Sequence, residues 1–109
     1  VINACDEQGV WAIGVDTDQS PLAPEHVITS AMKRVDVASQ DISKEAAAGN
    51  FKAGVHMYDL KNGGVDLAPT RDHIPAEVLT VVEQAKKDIM DGKIVVPTTT
   101  AEVPEFTLQ

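Results

Sequence analysis

The sequence predicts an α/β domain with a mostly parallel sheet that is flanked by helices. Short runs rich in apolar and β-branched residues, each bounded by turn residues, are typical of buried strands. Two longer segments carry apolar residues every three or four positions, as expected on one face of a helix. Strands that alternate with such helices favour α/β architecture.

The first elements follow from short patterns at the start of the chain. Residues 1–8 have a helical pattern that stops at Gly9, which suits the position after a helix because glycine enters the left-handed conformation without a Cβ clash. The run Val10–Val15 predicts a strand buried on both faces, and Trp11 within it is expected in the core. Two prolines make the segment Ser20–His26 a loop.

A second strand and an amphipathic helix come next. The β-branched content of Val27–Met32 predicts the strand, which leaves Lys33 at a strand-to-helix junction. A helix is predicted from Arg34 to Gly49, with one face packed against the protein. The apolar positions of that face are Val35, Ala38, Ile42 and Ala46.

A third strand and a hairpin are predicted in the middle of the chain. The segment Gly54–Leu60, "GVHMYDL", lies between turn residues and favours a strand. The turn at residues 61–64 connects it to a short strand at Val65–Ala68, so the two strands could form a hairpin. The pair Gly63-Gly64 lacks the context of a phosphate-binding loop and indicates turn chemistry.

The last helix has the clearest pattern of the chain. Pro75 suits the first turn, and the helix ends before Gly92. Its apolar stripe is expected in the core and consists of Val78, Leu79, Val82, Ala85 and Ile89. Lys93–Val96 predicts a final short strand stopped by Pro97, and the proline-broken residues 98–109 predict an extended tail.

Composition narrows the classes of function. The 109 residues have the length of one domain, and no apolar run approaches the roughly 18 residues of a membrane span. A net charge of −8, with only nine scattered Lys and Arg residues, argues against a nucleic-acid partner. Cys5 is the only cysteine and is expected to be a buried, unreactive thiol. His26, His56 and His73 lack metal-ligand spacing, so we predict no metal site and no cofactor.

Polar residues at two predicted strand ends are the candidate site. The first strand runs into "VDTDQS", and Lys33 follows the second. Because ligands of open α/β sheets bind beyond the carboxyl ends of the strands, Asp16 and Lys33 could reach one crevice. Two further interpretations stay open. Asp16 and Asp18 could form a catalytic carboxylate pair, or they could merely accept hydrogen bonds from loop amides while Lys33 pairs with a surface acid.

Four segments together resemble one protein family. The segments "WAIGVDTDQS", "VITSAMKRVD", "GVHMYDLKNGGVDLAP" and "DGKIVVP" occur in this order and span nearly the whole chain. They resemble the basic membrane protein family of bacterial lipoproteins, the nucleoside-binding receptors of ABC transporters, similar to the purine nucleoside receptor A type. The resemblance implies a type I periplasmic binding protein fold, in which two α/β lobes hold a nucleoside in the cleft between them.

The resemblance also implies an organisation and a location. Such receptors are about three times this length, so residues 1–109 would form the C-terminal third of a two-lobe receptor, and Cys5 would not be the lipidated cysteine. The expected partners are a nucleoside and the permease of the transporter. The expected location is the periplasm or the cell surface, with membrane contact only through the lipid anchor of the parent protein.

The motif matches assign roles to four residues. Asp16 matches the ribose-binding aspartate of the family and Lys33 its binding lysine, while Asp18 and Gln19 match the same motif and are expected to shape the loop. A carboxylate can accept from both hydroxyls of a ribose, and an ammonium group donates to the remaining oxygens. The resemblance therefore implies a binding protein rather than an enzyme. The alternatives are a small α/β enzyme that uses Asp16 and Asp18, or a regulatory or structural domain of the same fold.

Overall fold

The structure, a computed structural model, describes residues 1–103. The chain divides after Ile74 into two compact units, and each is described by itself. The first contains α1 (Ile2–Gln8), β1 (Ala12–Asp16), a 3-10 turn (Ser20–Leu22), β2 (Val27–Lys33), α2 (Val35–Ala47) and β3 (Val65–Leu67), and the second contains α3 (Ala76–Met90). In the described part of the chain, no helix is long and apolar enough to cross a membrane.

The three strands form one sheet in the order β1-β2-β3. β1 and β2 are parallel, and their register brings Asp16 opposite Met32. β3 is antiparallel to the end of β2, where Lys33 faces Val65. The longer of the two ladders is parallel, which confirms the predicted α/β class with a mostly parallel sheet.

The buried core lies where α1 and the loop before β2 cover the start of the sheet. Val27 is fully buried, and Ala12 and Ala23 pack with it. Ile2 and Cys5 of α1 cover this cluster and are partly buried. The thiol of Cys5 is therefore half-buried rather than fully buried as predicted.

The end of α1 confirms the glycine signal in the sequence. Gly9 has a φ of 64°, and its N–H donates to the Asp6 carbonyl over 3.1 Å. The Val10 N–H donates to the Cys5 carbonyl over 3.0 Å. This pair of bonds is a Schellman motif, which requires a left-handed residue after the helix.

The predicted burial of β1 on both faces is wrong. The strand begins at Ala12, and Ala12 and Gly14 are buried, whereas Ile13 and Val15 are more than half exposed. Alternate side chains of a strand point to opposite faces, and the described chain covers only one face of β1.

Trp11 is not a core residue, contrary to prediction. Its side chain is 54% exposed, and its ring centroid lies 5.0 Å from that of His73 and 6.1 Å from that of His26. It stands just before β1, beyond the point where α1 and Val27 enclose the core. A run of apolar residues in the sequence does not show where the elements that enclose the core end.

Both amphipathic helices form where the periodicity places them, but their apolar stripes are not buried. Neither α2 nor α3 contains a buried residue. A helix buries its stripe only against another layer, and the three short strands offer little area to α2. α3 follows Pro75 as predicted. It is the only helix longer than one turn in the described part of its unit, so its apolar stripe has no second long helix there to pack against. The expectation that its stripe forms core is therefore wrong.

The predicted third strand at Gly54–Leu60 does not form, and neither does the hairpin. The segment has no ladder partner, and Val55 and Met57 are 94% and 74% exposed. β3 forms at Val65–Leu67 as expected but pairs with β2. The Met57 carbonyl accepts from the Asn62 side-chain amide instead of from a neighbouring strand.

The predicted last strand, Lys93–Val96, is also absent. Gly92 has a φ of 78°, which turns the chain back onto the end of α3. The N–H groups of Lys93 and Ile94 then donate to the Asp88 carbonyl at 2.8 and 3.2 Å. Residues 98–102 of the predicted extended tail form bends and turns, Val103 has a 3-10 conformation, and residues 104–109 lie outside the described residues.

Candidate functional site

Asp16 and Lys33 meet at the carboxyl ends of the two parallel strands. Each is the last residue of its strand. Lys33 Nζ lies 3.2 Å from Asp16 Oδ1, and their side chains are 63% and 61% exposed. Two sequence-predicted site residues that are 17 positions apart are thus brought into direct contact in open solvent.

The main chain at Asp16 adopts an unusual conformation. Its φ is 71°, and among residues 1–103 it is the one non-glycine residue with a positive φ. The Thr17 N–H donates to the Val15 carbonyl over 2.9 Å, which closes a γ-turn around Asp16. Such a conformation costs about 1–3 kcal/mol. An exposed ion pair contributes about 0–1 kcal/mol, so the contact with Lys33 does not offset this strain alone.

A crevice of about 500 Å³ opens beside this pair. Its lining comprises Asp16, Thr17, Met32, Lys33, Arg34, Val35 and Asp36. The start of α2 supplies one wall, because α2 begins two residues after β2 ends. The crevice is therefore built at a strand-to-helix junction, the usual position of ligand sites in open α/β sheets.

Arg34 and Asp36 add a second ion pair to the crevice. The Arg34 guanidinium donates from Nη2 to Asp36 Oδ2 over 2.8 Å and from Nε to Oδ1 over 3.0 Å. This hydrogen bonding lowers the pKa of Asp36 to about 2 and raises the pKa of Arg34. The lining thus carries two cations and two carboxylates, so its formal charges cancel.

Asp18 turns away from this ion-pair cluster and braces the loop. Its Oδ1 accepts from the Ser20 N–H over 3.0 Å, and its Oδ2 accepts from the Thr70 hydroxyl over 2.7 Å. The Thr70 and Ser20 hydrogen bonds hold the pKa of Asp18 below its usual value. Asp16 and Asp18 therefore have separate partners, which is not the arrangement of a carboxylate pair that shares one substrate.

Gln19 also bonds within the loop. Its side-chain Oε1 accepts from the Val15 N–H over 2.9 Å, and its own N–H donates to Ser30 Oγ over 3.0 Å. Ser30 is fully buried on β2. The expectation that Asp18 and Gln19 shape the loop agrees with these bonds.

Sequence reasoning missed three residues of this region. Arg34 and Asp36 follow the predicted Lys33 in the sequence, and their charges beside a strand end were the available signal. Thr70 gave no signal, because it lies 52 positions from the Asp18 carboxylate that it contacts. In the described residues, no group of three or more His, Cys, Asp and Glu side chains could hold a metal ion.

The crevice beside Asp16 and Lys33 is smaller than another in the described chain, so volume alone does not identify it as the ligand site. A crevice of about 700 Å³ lies beyond the end of α2, lined in part by Asn50, Phe51 and His56. Phe51 and His56 stack there with ring centroids 5.8 Å apart. None of the sequence-predicted site residues lines it, whereas Asp16 and Lys33 both line the smaller crevice.

Comparison with known proteins identifies related chains. A family model described as "ABC transporter substrate-binding protein PnrA-like" matches residues 1–100. The ABC transporter nucleoside-binding protein BmpA of Lactococcus lactis is 41% identical over 98 residues, covering 81% of this chain and 27% of the relative. A CD4+ T-cell-stimulating antigen of Listeria monocytogenes is 38% identical over 100 residues, covering 83% and 28%. The chain thus spans little more than a quarter of these curated relatives.

Two solved structures share the fold. A transcriptional activator of the comK gene from Bacillus halodurans superposes with a TM-score of 0.77 and 29% identity, over 83% of this chain and 32% of that one. A solute-binding protein of an ABC transporter system from Aeropyrum pernix gives a TM-score of 0.69 over 94% of this chain and 38% of that one. At 23% identity, the second similarity shows the fold alone. From the match over residues 1–100 and the identity to its relatives, the chain belongs to the family of PnrA-like ABC transporter substrate-binding proteins.

Proposed function

We propose that this chain supplies one side of a nucleoside-binding site in the substrate-binding receptor of a bacterial ABC transporter. The contact between Asp16 and Lys33 at the open end of the parallel strand pair carries this proposal. The name of the Lactococcus lactis relative, a nucleoside-binding protein, supports the choice of ligand.

The chemistry of the crevice suits a neutral polyol. Asp16 uses Oδ1 for Lys33, which leaves Oδ2 and the remaining lone pairs for the two hydroxyls of a ribose. The Lys33 ammonium has further N–H groups to donate to ligand oxygens. Because the charges of the lining cancel, the site offers no net attraction to a phosphate, and a nucleoside fits better than a nucleotide.

The wider assembly is part of the same proposal. The relatives are more than three times the length that the chain covers, so we infer that the rest of a two-lobe receptor supplies the opposite wall of the site. The receptor would work outside the cytoplasmic membrane, in the periplasm or at the cell surface, held by a lipid anchor and delivering its ligand to the permease.

Replacing Asp16 tests the proposal most directly. We expect Asp16→Ala, in a receptor of the relatives' full length that contains this chain, to lose about 2–4 kcal/mol of binding free energy for its preferred nucleoside. Titration calorimetry with adenosine, guanosine and inosine measures the loss. Asp6→Ala is the matched control, because Asp6 is 52% exposed and is also paired, with His26 Nδ1 at 2.7 Å. Equal affinity of the Asp16 variant and the parent receptor would refute the assigned role.

The 109-residue chain alone should bind nucleosides weakly. With only one wall of the site, we expect a dissociation constant of about 1 mM or higher, equivalent to roughly 4 kcal/mol. Calorimetry on the purified chain measures it. A micromolar isotherm with one site per chain would show that the second lobe is not needed.

A regulatory role is the second candidate, and one observation favours it. The Bacillus halodurans structure that superposes with a TM-score of 0.77 is a transcriptional activator, and a Bacillus subtilis relative, 39% identical over 67 residues, is the transcriptional activator protein med. With a net charge of −8, direct DNA binding by this chain is disfavoured. Deleting the gene separates the two roles: a receptor loss lowers nucleoside uptake, whereas a regulator loss changes transcript levels with uptake unchanged.

A further inference from the structure

We propose that Gln19 is a positioning residue that holds Asp16 in its ligand-binding conformation without contacting the ligand. This inference rests on the proposed function, because it assigns a role to Gln19 through Asp16. It is carried by the geometry of the γ-turn and by the hydrogen bonds on either side of it.

The two main-chain groups of Val15 are both bonded within the loop. Its N–H donates to Gln19 Oε1 over 2.9 Å, and its carbonyl accepts from the Thr17 N–H over 2.9 Å. The residues on both sides of Asp16 are thereby fixed. In this main-chain conformation the side chain of Asp16 reaches Lys33, with Oδ1 lying 3.2 Å from Nζ.

Gln19 is itself tied to the sheet. Its N–H donates over 3.0 Å to Ser30 Oγ, which belongs to a fully buried residue of the neighbouring strand. Gly14 permits this approach, because a Cβ there would collide with Ser30 Oγ and lie 2.9 Å from Gln19 Cβ. Gln19 therefore connects the buried face of the sheet to the exposed turn.

A brace of this kind is needed because the turn is strained. The positive φ of Asp16 is unfavourable for a residue with a Cβ, and the exposed contact with Lys33 is too weak to maintain it. The bond from Gln19 Oε1 uses an acceptor that a glutamate would also provide and a methionine of similar length would not. The role therefore depends on the acceptor atom and not on side-chain size.

A double-mutant cycle in the full-length receptor tests the inference. We expect Gln19→Met to weaken nucleoside binding about tenfold, the scale of one lost hydrogen bond, and Gln19→Glu to restore most of it. In an Asp16→Ala background, Gln19→Met should have no further effect, because Gln19 acts through Asp16. An equal loss in both backgrounds would mean that Gln19 acts on the ligand or on the whole fold, and would overturn the inference.

The outcomes distinguish this inference from the proposed function. If Asp16→Ala weakens binding while Gln19→Met has no effect, the positioning role is wrong and the nucleoside site stands. If Asp16→Ala has no effect, the nucleoside site is wrong, and the brace is decided by a measurement that needs no ligand.

That measurement is amide hydrogen exchange in the 109-residue chain, followed by NMR. Gln19→Met should speed exchange of the Val15 and Thr17 amides by about tenfold or more, because both bonds flank the same turn. The Ala12 amide, which donates to the His26 carbonyl over 2.7 Å, is the internal control and should not change. Unchanged exchange at Val15 and Thr17 would overturn the positioning role whatever the receptor binds.

Discussion

Two loops of the first unit are closed by side-chain amides, yet only one of them is tied to the core. In the site loop, residues 16–20, Gln19 bonds to Val15 and also to the buried Ser30, and Asp18 reaches Thr70. In the second loop, residues 57–62, Asn62 bonds to Met57 and Asp59, within five positions of itself. Local bonds close a turn, whereas bonds to distant, buried partners also fix where its side chains point.

The largest expected effect concerns the glycines beside the two loops. Gly64→Ala should lower the free energy of unfolding by about 2–3 kcal/mol, because the new Cβ would lie 2.7 and 2.8 Å from main-chain atoms of Tyr58, which can yield only if the loop moves. Gly14→Ala should cost less, about 1–2 kcal/mol, because the Ser30 hydroxyl that its new Cβ meets can rotate away, which leaves Gln19 Cβ, at 2.9 Å, as the contact that the main chain holds in place. Urea unfolding measures both. A larger loss for Gly14→Ala would mean that the site loop has less freedom to adjust than the second loop.

A smaller effect should follow from opening the second loop. Asn62→Ala removes the bonds to the Met57 carbonyl, at 2.9 Å, and from the Asp59 N–H, at 2.8 Å. Because both groups are exposed and can bond to water, we expect a loss of about 1 kcal/mol in the free energy of unfolding. Asn50→Ala, on the exposed turn after α2, is the control and should stay within about 0.5 kcal/mol of the parent chain. Equal losses for the two variants would show that the Asn62 bonds add nothing to the loop.

The smallest effect is the pH dependence of the site loop. The Thr70 and Ser20 hydrogen bonds lower the pKa of Asp18 from its usual 3.8. Asp18 therefore adds stability that is fully present above about pH 4 and is lost as the pH falls through the lowered pKa of the folded state. In thermal melts, the melting temperature of Asp18→Asn should fall less steeply below about pH 4 than that of the parent chain. Asp59→Asn, in the second loop, is the comparison variant. If the melting temperatures of the two variants depend on pH in the same way, the bond to Thr70 does not stabilise the folded state.

The sequence predicted elements well where local pattern and available partners agree. β2 and the two long helices form within a few residues of their predicted bounds, because β-branched runs, Pro75 and the apolar periodicity act locally. Gly54–Leu60 and Lys93–Val96 have comparable strand patterns but no strand beside them. A strand pattern indicates that a segment can pair in a sheet, but it does not show whether a neighbouring strand is available to pair with it.

The candidate site was predictable in part for the same reason. The spacing of Asp16 and Lys33, together with the family motifs, placed both at one end of the sheet, and the structure brings them to 3.2 Å. Thr70 could not be predicted, because its contact with Asp18 depends on how a distant segment returns to the loop. The γ-turn at Asp16 was hidden as well, because no glycine marks its positive φ.

The bonds on Val15 also limit how the sheet can grow. β1 is an edge strand of the sheet in the described part of the chain, and the unpaired main-chain groups of such an edge can template the addition of a foreign strand. At Val15 both groups are already bonded within the site loop. A strand added along β1, whether from a second copy or from an unfolded chain, would lose its main-chain hydrogen bonds at Val15. The loop that holds Asp16 therefore occupies the main-chain groups of Val15 that an added strand would need.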